Sequence, residues 1–315
     1  MKIAIISDIH GNYPALVRVV DDAISNKVDK FIFLGDYIFD LPFPNEVARL
    51  LMKMENSYII KGNKETHMAM LANEDQENWT HNQFGGIYQT IRELAPDVYN
   101  FLNGLDEECY IKLSHDISIY AVHFPLFTPS MNTNCSSSNY HKKMLEKAFT
   151  HEEFLLNFSD MVNSDECKSV IDKIDANIIL FGHNHLQSYA YCGDKLIINP
   201  GSCGLSLDFD NTAAYTILEV MDNKLNVIEK RVTYDIEYVI KQVKESLLYE
   251  KGRIWTDLVC LTLRTGRDYF GFFLEIAGQI ASSKNETGLL FSDSTWEEAS
   301  EVFMDRYNIC INNSS

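Results

Sequence analysis

The 315-residue chain contains no run of some 18 apolar residues, so a membrane-spanning helix is not expected. It contains no Cys-x-x-Cys pair. Its seven cysteines, at 109, 135, 167, 192, 203, 260 and 310, are odd in number and scattered. That argues against a disulfide framework or a structural zinc ribbon and suits a reducing cytoplasm. They are expected to pack as small apolar groups. The opening apolar run, Lys2–Ser7, breaks at Asp8 and is too short for a cleavable leader. There is no internal repeat and no long low-complexity tract.

Basic residues are also scarce: 27 Lys and Arg stand against 45 Asp and Glu, for a net charge of −18. Such a surface repels polyphosphate backbones, which disfavours nucleic acid as a main partner. A small phosphorylated substrate remains compatible, because two divalent ions in a cleft would bring about four positive charges of their own. With 46% hydrophobic and 23% charged residues, the composition is that of a globular protein able to bury a core.

Three short apolar runs punctuate the first 63 residues: Lys2–Ser7, Lys30–Leu34 and Ser57–Ile60. Each reads as a buried strand ending in a polar cluster, and helical patterns at 14–25 and 45–54 follow the first two. This is the rhythm of an α/β protein with a parallel sheet. The region 64–105 reads as mostly helical with a break at Gly85-Gly86, and 108–123 as a hairpin. A Ser/Asn/Thr/Pro-rich loop follows at 125–140, then helices at 141–149 and 165–174. A strand at 178–181 precedes short strands at 187–191, 196–198, 213–220 and 225–232. The rest is helical.

The strand ends carry the chemistry: Asp8 and His10, Asp36, Asn63, His123, then His183 and His185. In α/β sheets functional groups gather at the carboxyl ends of strands. Oxygen and imidazole donors suit Mn²⁺, Fe or Zn. Asp-x-His and His-x-His spacings place side chains on the same side of an extended segment. Each glycine before or beside a ligand lets the backbone turn sharply at the strand end.

The series Asp8-x-His10, Gly35-Asp36, Gly62-Asn63, His123, Gly182-His183-x-His185 resembles the calcineurin-like metallophosphoesterase superfamily across roughly residues 1–230. Asn199-Pro200-Gly201-Ser202 is similar to its compact bacterial, phosphodiesterase-type branch; taken alone it also reads as a tight turn. The resemblance implies a four-layered α/β/β/α sandwich of two mixed sheets. It implies one metal held by Asp8, His10 and His185, a second by Asn63, His123 and His183, and Asp36 bridging them. Two such ions lower the pKa of a shared water toward 7 and clamp the phosphoryl oxygens. Asn63 and Asn12 are candidate donors to a phosphate oxygen; for Asn12 a helix cap is the other reading.

One position departs from the family pattern. The superfamily usually has a histidine after Gly-Asn, and here it is Lys64. Beside two dications its pKa is expected to fall, so it either donates a proton, stays charged and steadies the phosphate, or points to solvent or Glu65. His67, one helical turn on, is the best substrate-binding candidate among the histidines outside the motif (67, 81, 115, 141 and 151). The others are expected at the surface or at caps.

The expected organisation is a catalytic domain over 1–233, with 125–174 capping the cleft, and a helical C-terminal extension over 234–315. That extension is a candidate for self-association. The expected activity is metal-dependent hydrolysis of a small, nucleotide-like phosphodiester or a phosphomonoester. A Ser/Thr protein phosphatase activity and a non-enzymatic metal-bound scaffold are the alternatives.

Overall fold

Strand β1 (Lys2–Ile6) is buried on both faces, and its alternation explains the architecture. Ile3 and Ile5 point into one apolar cluster, Ala4 and Ile6 into another, as a period of two requires. The computed structural model describes residues 1–79, 81–124, 137–145, 150–222, 224–287 and 290–307. The other strands are β2 (Lys30–Phe33), β3 (Ser57–Ile59), β4 (Glu108–Lys112), β5 (Ser118–Val122), β6 (Ile178–Leu180), β7 (Ser188–Cys192), β8 (Lys195–Asn199), β9 (Ala213–Met221) and β10 (Lys224–Val232).

They form two five-stranded mixed sheets, ordered β10-β9-β1-β2-β3 and β4-β5-β6-β8-β7. In the first, β1 pairs parallel with β2 and antiparallel with β9. In the second, β6 lies parallel between β5 and β8. Between the sheets pack Ile3, Ile5 and Ile32 from one and Ile119, Ile178 and Ile198 from the other. Helices Tyr13–Ser25, Pro44–Leu51 and Pro96–Asn103 cover the outer face of the first sheet through Leu16, Val47 and Leu102. Helices His151–Val162 and Asp165–Ile171 cover the second through Phe154, Phe158 and Ile171. This is the expected four-layered sandwich.

Three readings need correction. Helix 151–162 was not foreseen, although Thr150 and Glu153 form a reciprocal capping box at its start, a pattern visible as Thr-x-x-Glu. Of its neighbours, Ser137–Leu145 starts before the expected 141, and Asp165–Ile171 is shorter than the expected 165–174. The segment 125–136, much of the expected cap, and 146–149 lie outside the described residues; the helices at 151–171 belong to the second sheet's outer layer. Gly85-Gly86 does not break a helix but begins one, Gly85–Glu93. A Cβ on Gly85 would fall 1.9 Å from the Lys251 carbonyl oxygen, so the glycine is there because the C-terminal region passes against it.

That region is helical as expected: Ile236–Lys244, Leu247–Lys251, Arg253–Thr265, Tyr269–Ser283 and Asp293–Arg306. Two apolar clusters hold it. One centres on Phe273, Trp296 and Phe303, where the aromatic run at 269–274 is covered within the subunit; Leu274, by contrast, is exposed. The other joins Val239, Ile240, Val259 and Leu263 to Leu41 and Leu205, which come from loops of the sandwich beside the predicted metal ligands. No helix among the described residues is long and apolar enough to cross a membrane. Cys192, Cys203 and Cys260 are buried free thiols, Cys109 is a half-buried one, and Cys167 is buried; Cys135 and Cys310 lie outside the described residues.

Candidate metal centre

The loops that follow β1, β2 and β6 carry Asp8, His10, Asp36, His183 and His185, and all five have positive φ, between 51° and 73°. Left-handed backbone costs an L-residue roughly 1–2 kcal/mol, so neighbouring bonds must hold it there. They do. The amides of Ile9 and His10 donate to the Asp36 carbonyl at 2.8 and 2.9 Å, and Asp8 N donates to Gly35 O at 3.1 Å. Ser202 Oγ donates to Asp8 O at 2.7 Å. Asn199 Nδ2 donates to Gly182 O at 2.9 Å and Asn184 Oδ1 at 2.6 Å. Asn199-Pro200-Gly201-Ser202 is therefore more than a turn: it ties the His183–His185 loop to the Asp8 loop.

The glycines need a second correction. Gly35 has φ +104°, as a sharp turn requires. Gly62 and Gly182 have no such angle; they are small because there is no space. A Cβ on Gly62 would meet Asp36 Oδ1 at 2.2 Å, and one on Gly182 would meet Ser7 Oγ at 2.1 Å.

The predicted ligands converge. One donor atom from each of Asp8, His10 and His185 lies within 4.8 Å of the others, and the same holds for Asp36, His123 and His183. Asn63 Oδ1 stands between the last two histidines, 3.0 Å from His123 Nε2 and 2.9 Å from His183 Nδ1. Asp36 Oδ2 reaches both groups, 3.4 Å from His123 Nε2 and 3.9 Å from His10 Nε2.

The tautomers follow from the acceptors. A carbonyl can only accept, so the Nδ1–H of His123 donates to Leu34 O (2.7 Å) and that of His185 to Leu205 O (2.6 Å). His10 Nδ1–H donates to Asp40 Oδ2 at 2.7 Å. The Nε2 of each of these three histidines is thus left with a lone pair facing inward, while His183 turns its Nδ1 toward Asn63. His10 Nε2 and His185 Nε2 lie 3.2 Å apart, and His185 Nε2 lies 3.2 Å from Asp8 Oδ1. Lone pairs and carboxylates in such proximity are favourable only around a cation or an extra proton. The pKa values carry the same message. Burial alone would lower that of His123, but Asp36 and Asp8 push it up to about 9. Burial alone would raise those of Asp8 and Asp36, yet the surrounding histidines hold both carboxyls far below the usual range. The donor set fits a pair of divalent cations.

Three supporting residues escaped the sequence reading. Asp40, whose carboxyl would rise with burial, is held well down by Lys64, His10 and the Trp255 indole; Trp255 Nε1 donates to its Oδ1 at 2.7 Å. Glu65, fully buried, accepts from the amides of Asp36 (3.0 Å), Tyr37 (2.8 Å) and Gly62 (2.8 Å). It pins the Asp36 loop to the Asn63 loop. Burial, with Asp36 adding to it, raises its pKa to about 7. A Glu three residues after a helix start was a legible capping signal. Trp255 had no local signal.

The remaining candidates separate. Asn12 is a correction: it is fully buried, with Oδ1 accepting from Ala15 N (3.2 Å) and Nδ2 donating to Gly204 O (2.8 Å). It caps helix Tyr13–Ser25 and does not face the centre. Lys64 stays at the site's edge, its amide donating to Asp36 Oδ1 at 2.8 Å and its Nζ 3.9 Å from Asp40 Oδ2. With no ion beside it, burial would lower its pKa but Asp40, Asp36, Asp8 and Glu65 raise it; the expected fall belongs to the metal-loaded site. His67 is exposed, one turn beyond Lys64, on the wall of an adjoining cavity. His141, expected at the surface, is buried.

Comparison with known proteins agrees with this geometry. The model of the calcineurin-like phosphoesterase family matches residues 1–187. An uncharacterized protein of Methanocaldococcus jannaschii is 26% identical over 252 residues, 79% of this chain and 94% of its own. A metallophosphoesterase of Sphaerobacter thermophilus has a similar structure, with a TM-score of 0.59 at 23% identity, over 84% of this chain and 99% of that one. For a hypothetical protein of Pyrococcus horikoshii the TM-score is 0.57 at 19% identity, over 81% and 97%. Both structures span more of the chain than residues 1–233 supply, so part of the C-terminal helical region has counterparts in them.

Proposed function

Because the chain belongs to the calcineurin-like phosphoesterase family, we propose that it hydrolyses a small phosphodiester or phosphomonoester with two divalent ions at the centre described above. The observation that carries this reading is the convergence of three Nε2 lone pairs, the Asn63 amide oxygen and two carboxylates on one spot. Asp8, His10 and His185 would hold one ion, Asn63, His123 and His183 the other, and Asp36 would be shared. Divalent ions held there supply a water acidified toward neutral pH and positive charge for the phosphoryl oxygens. Donors of oxygen and imidazole type suit manganese, iron or zinc.

The chain's own groups do the positioning. Asp40 and two backbone carbonyls fix the imidazole tautomers, so that each Nε2 is presented inward without a ring flip. Glu65 and Asn199 hold the loops in a conformation they would otherwise leave. Lys64 brings a cation to the edge of the site. It is placed to steady charge on a departing group, in the position where the family usually carries a histidine.

The test is hydrolysis of bis-p-nitrophenyl phosphate and p-nitrophenyl phosphate by metal-stripped protein refilled with Mn²⁺, with Asp36→Asn and Lys64→Ala alongside. Turnover by wild type and loss of at least roughly a hundredfold in Asp36→Asn are expected. The ratio of diester to monoester rates then sets the substrate class. Tight metal binding with neither ester cleaved would favour the scaffold reading instead.

A further inference from the structure

A cavity of about 250 Å³ opens beside the metal centre, walled partly by the sandwich and partly by the C-terminal helices. Asp40 and Lys64 are the walls it shares with the centre, and His67 stands next to them. Most of the rest is apolar: Phe84, Ile87, Leu248, Leu274 and the indoles of Trp255 and Trp296. Trp255 cannot turn freely, because its Nε1–H is held by Asp40 and its ring packs on Phe270 at 4.6 Å. Two polar side chains on the wall, Thr256 and Gln83, are each held by a hydrogen bond within the protein. Thr256 Oγ1 donates to Gly252 O at 2.9 Å, and Gln83 Oε1 accepts from Phe291 N at 2.7 Å.

We propose that this cavity receives the organic part of the phosphoester, and that this part is a planar aromatic ring. The proposal rests on the hydrolase reading above and narrows its substrate class. Charge lies where the cavity meets the metals, and the remaining wall offers rings and methyl groups. A flat ring gains from that wall by burial and by aromatic contact. A sugar would bring several hydroxyls against a wall that is mostly apolar, which binding sites of this kind penalise. The volume lies just below the roughly 300–1,000 Å³ of pockets for drug-sized ligands, so one ring system fits and a folded peptide segment does not. The C-terminal helices thereby contribute directly to specificity.

Two phosphonates, whose carbon–phosphorus bond this chemistry leaves intact, separate the cavity from the reaction. Mn²⁺-loaded full-length protein is titrated calorimetrically with phenylphosphonate and methylphosphonate. Phenylphosphonate is expected to bind at least roughly tenfold tighter. Leu274→Trp, which fills the space from its rim, and Phe84→Ala, which removes a wall ring, should each shrink that ratio severalfold, with thermal melts confirming that both fold. Equal binding of the two probes by wild type, or a ratio that neither variant moves, would overturn the proposal. A ring preference without hydrolysis of either nitrophenyl ester sinks the hydrolase reading and keeps the ring site. Hydrolysis without a ring preference does the reverse.

Discussion

Trp255 and Asp40 stand 215 positions apart in the chain, and the indole Nε1–H of one donates to Oδ1 of the other at 2.7 Å. The other carboxylate oxygen receives the Nδ1–H of His10, also at 2.7 Å. A helix of the C-terminal region thus helps orient a histidine that faces the candidate metal centre. Such outer partners typically change metal affinity or activity by about 10–100-fold when removed. Asp40→Ala is expected to weaken metal binding within that range. Trp255→Phe, which keeps a ring and deletes only the donor, should weaken it severalfold. Competition with a chromophoric chelator measures both, and unchanged affinity in both would mean that the contact is purely structural.

Glu65 governs a different quantity. Its carboxylate is the acceptor for three backbone amides that join the Asp36 and Asn63 loops. Glu65→Ala strands those amides in the interior, at about 1–3 kcal/mol for each buried group left unpaired. A loss of at least about 3 kcal/mol is expected in urea unfolding with chelator present, so that metal binding does not enter. A variant within about 0.5 kcal/mol of wild type would show that water or a rearranged loop replaces the carboxylate.

His141 predicts a pH dependence away from the metals. It is buried against Phe209, Tyr269 and Phe272, and its Nδ1 accepts from Asp268 N at 2.8 Å. The ring is therefore held without a proton on Nδ1. Burial lowers its pKa to about 4, with Asp268 opposing and Arg267 adding to the shift. Between that value and the ordinary 6.5 the unfolded chain binds the extra proton, so this contribution is intact above pH 6.5 and lost as pH falls toward 4. His141→Gln should flatten the stability curve of the metal-free protein over that window by up to about one proton. Urea midpoints at pH 5 and pH 7 check it; an unchanged difference between them would acquit His141.

Gly182→Ala tests why the ligand loops use glycine. With no positive φ to lose, the added methyl meets Ser7 Oγ at 2.1 Å and Asp8 Oδ2 at 2.7 Å. Overpacking of that kind costs about 1–3 kcal/mol. Because the methyl pushes on a predicted ligand, metal binding should suffer along with the melting temperature. A stable variant with full metal occupancy would show that the two loops separate easily.

The places where sequence reading succeeded and failed have physical reasons. The convergence of the seven candidate ligands was legible because side chains at strand ends need only the strand pattern and local spacing to be located. The double burial of β1 was legible for the same reason: a short continuous apolar run rich in isoleucine admits few other readings. Asn12 was misplaced because an asparagine beside a ligand and one beside a helix start look alike until its partners, Ala15 and Gly204, are known. Gly85-Gly86 looked like a break because the cause of the glycines, the Lys251 carbonyl, is supplied by a distant part of the chain. Asp40 and Trp255 were missed on the same ground. Long-range contacts leave no periodicity in a single sequence.

Leu41 and Leu205 lie wholly or almost wholly buried among Val239, Ile240, Val259 and Leu263, although they sit in the loops that surround the ligands. The change from strands to helices near residue 233 is therefore not a seam along which the molecule can be cut. A fragment ending there would turn two leucines beside the candidate ligand loops out to water and leave Asp40 without its indole. Shortening this protein to residues 1–233 would remove a wall and a floor together.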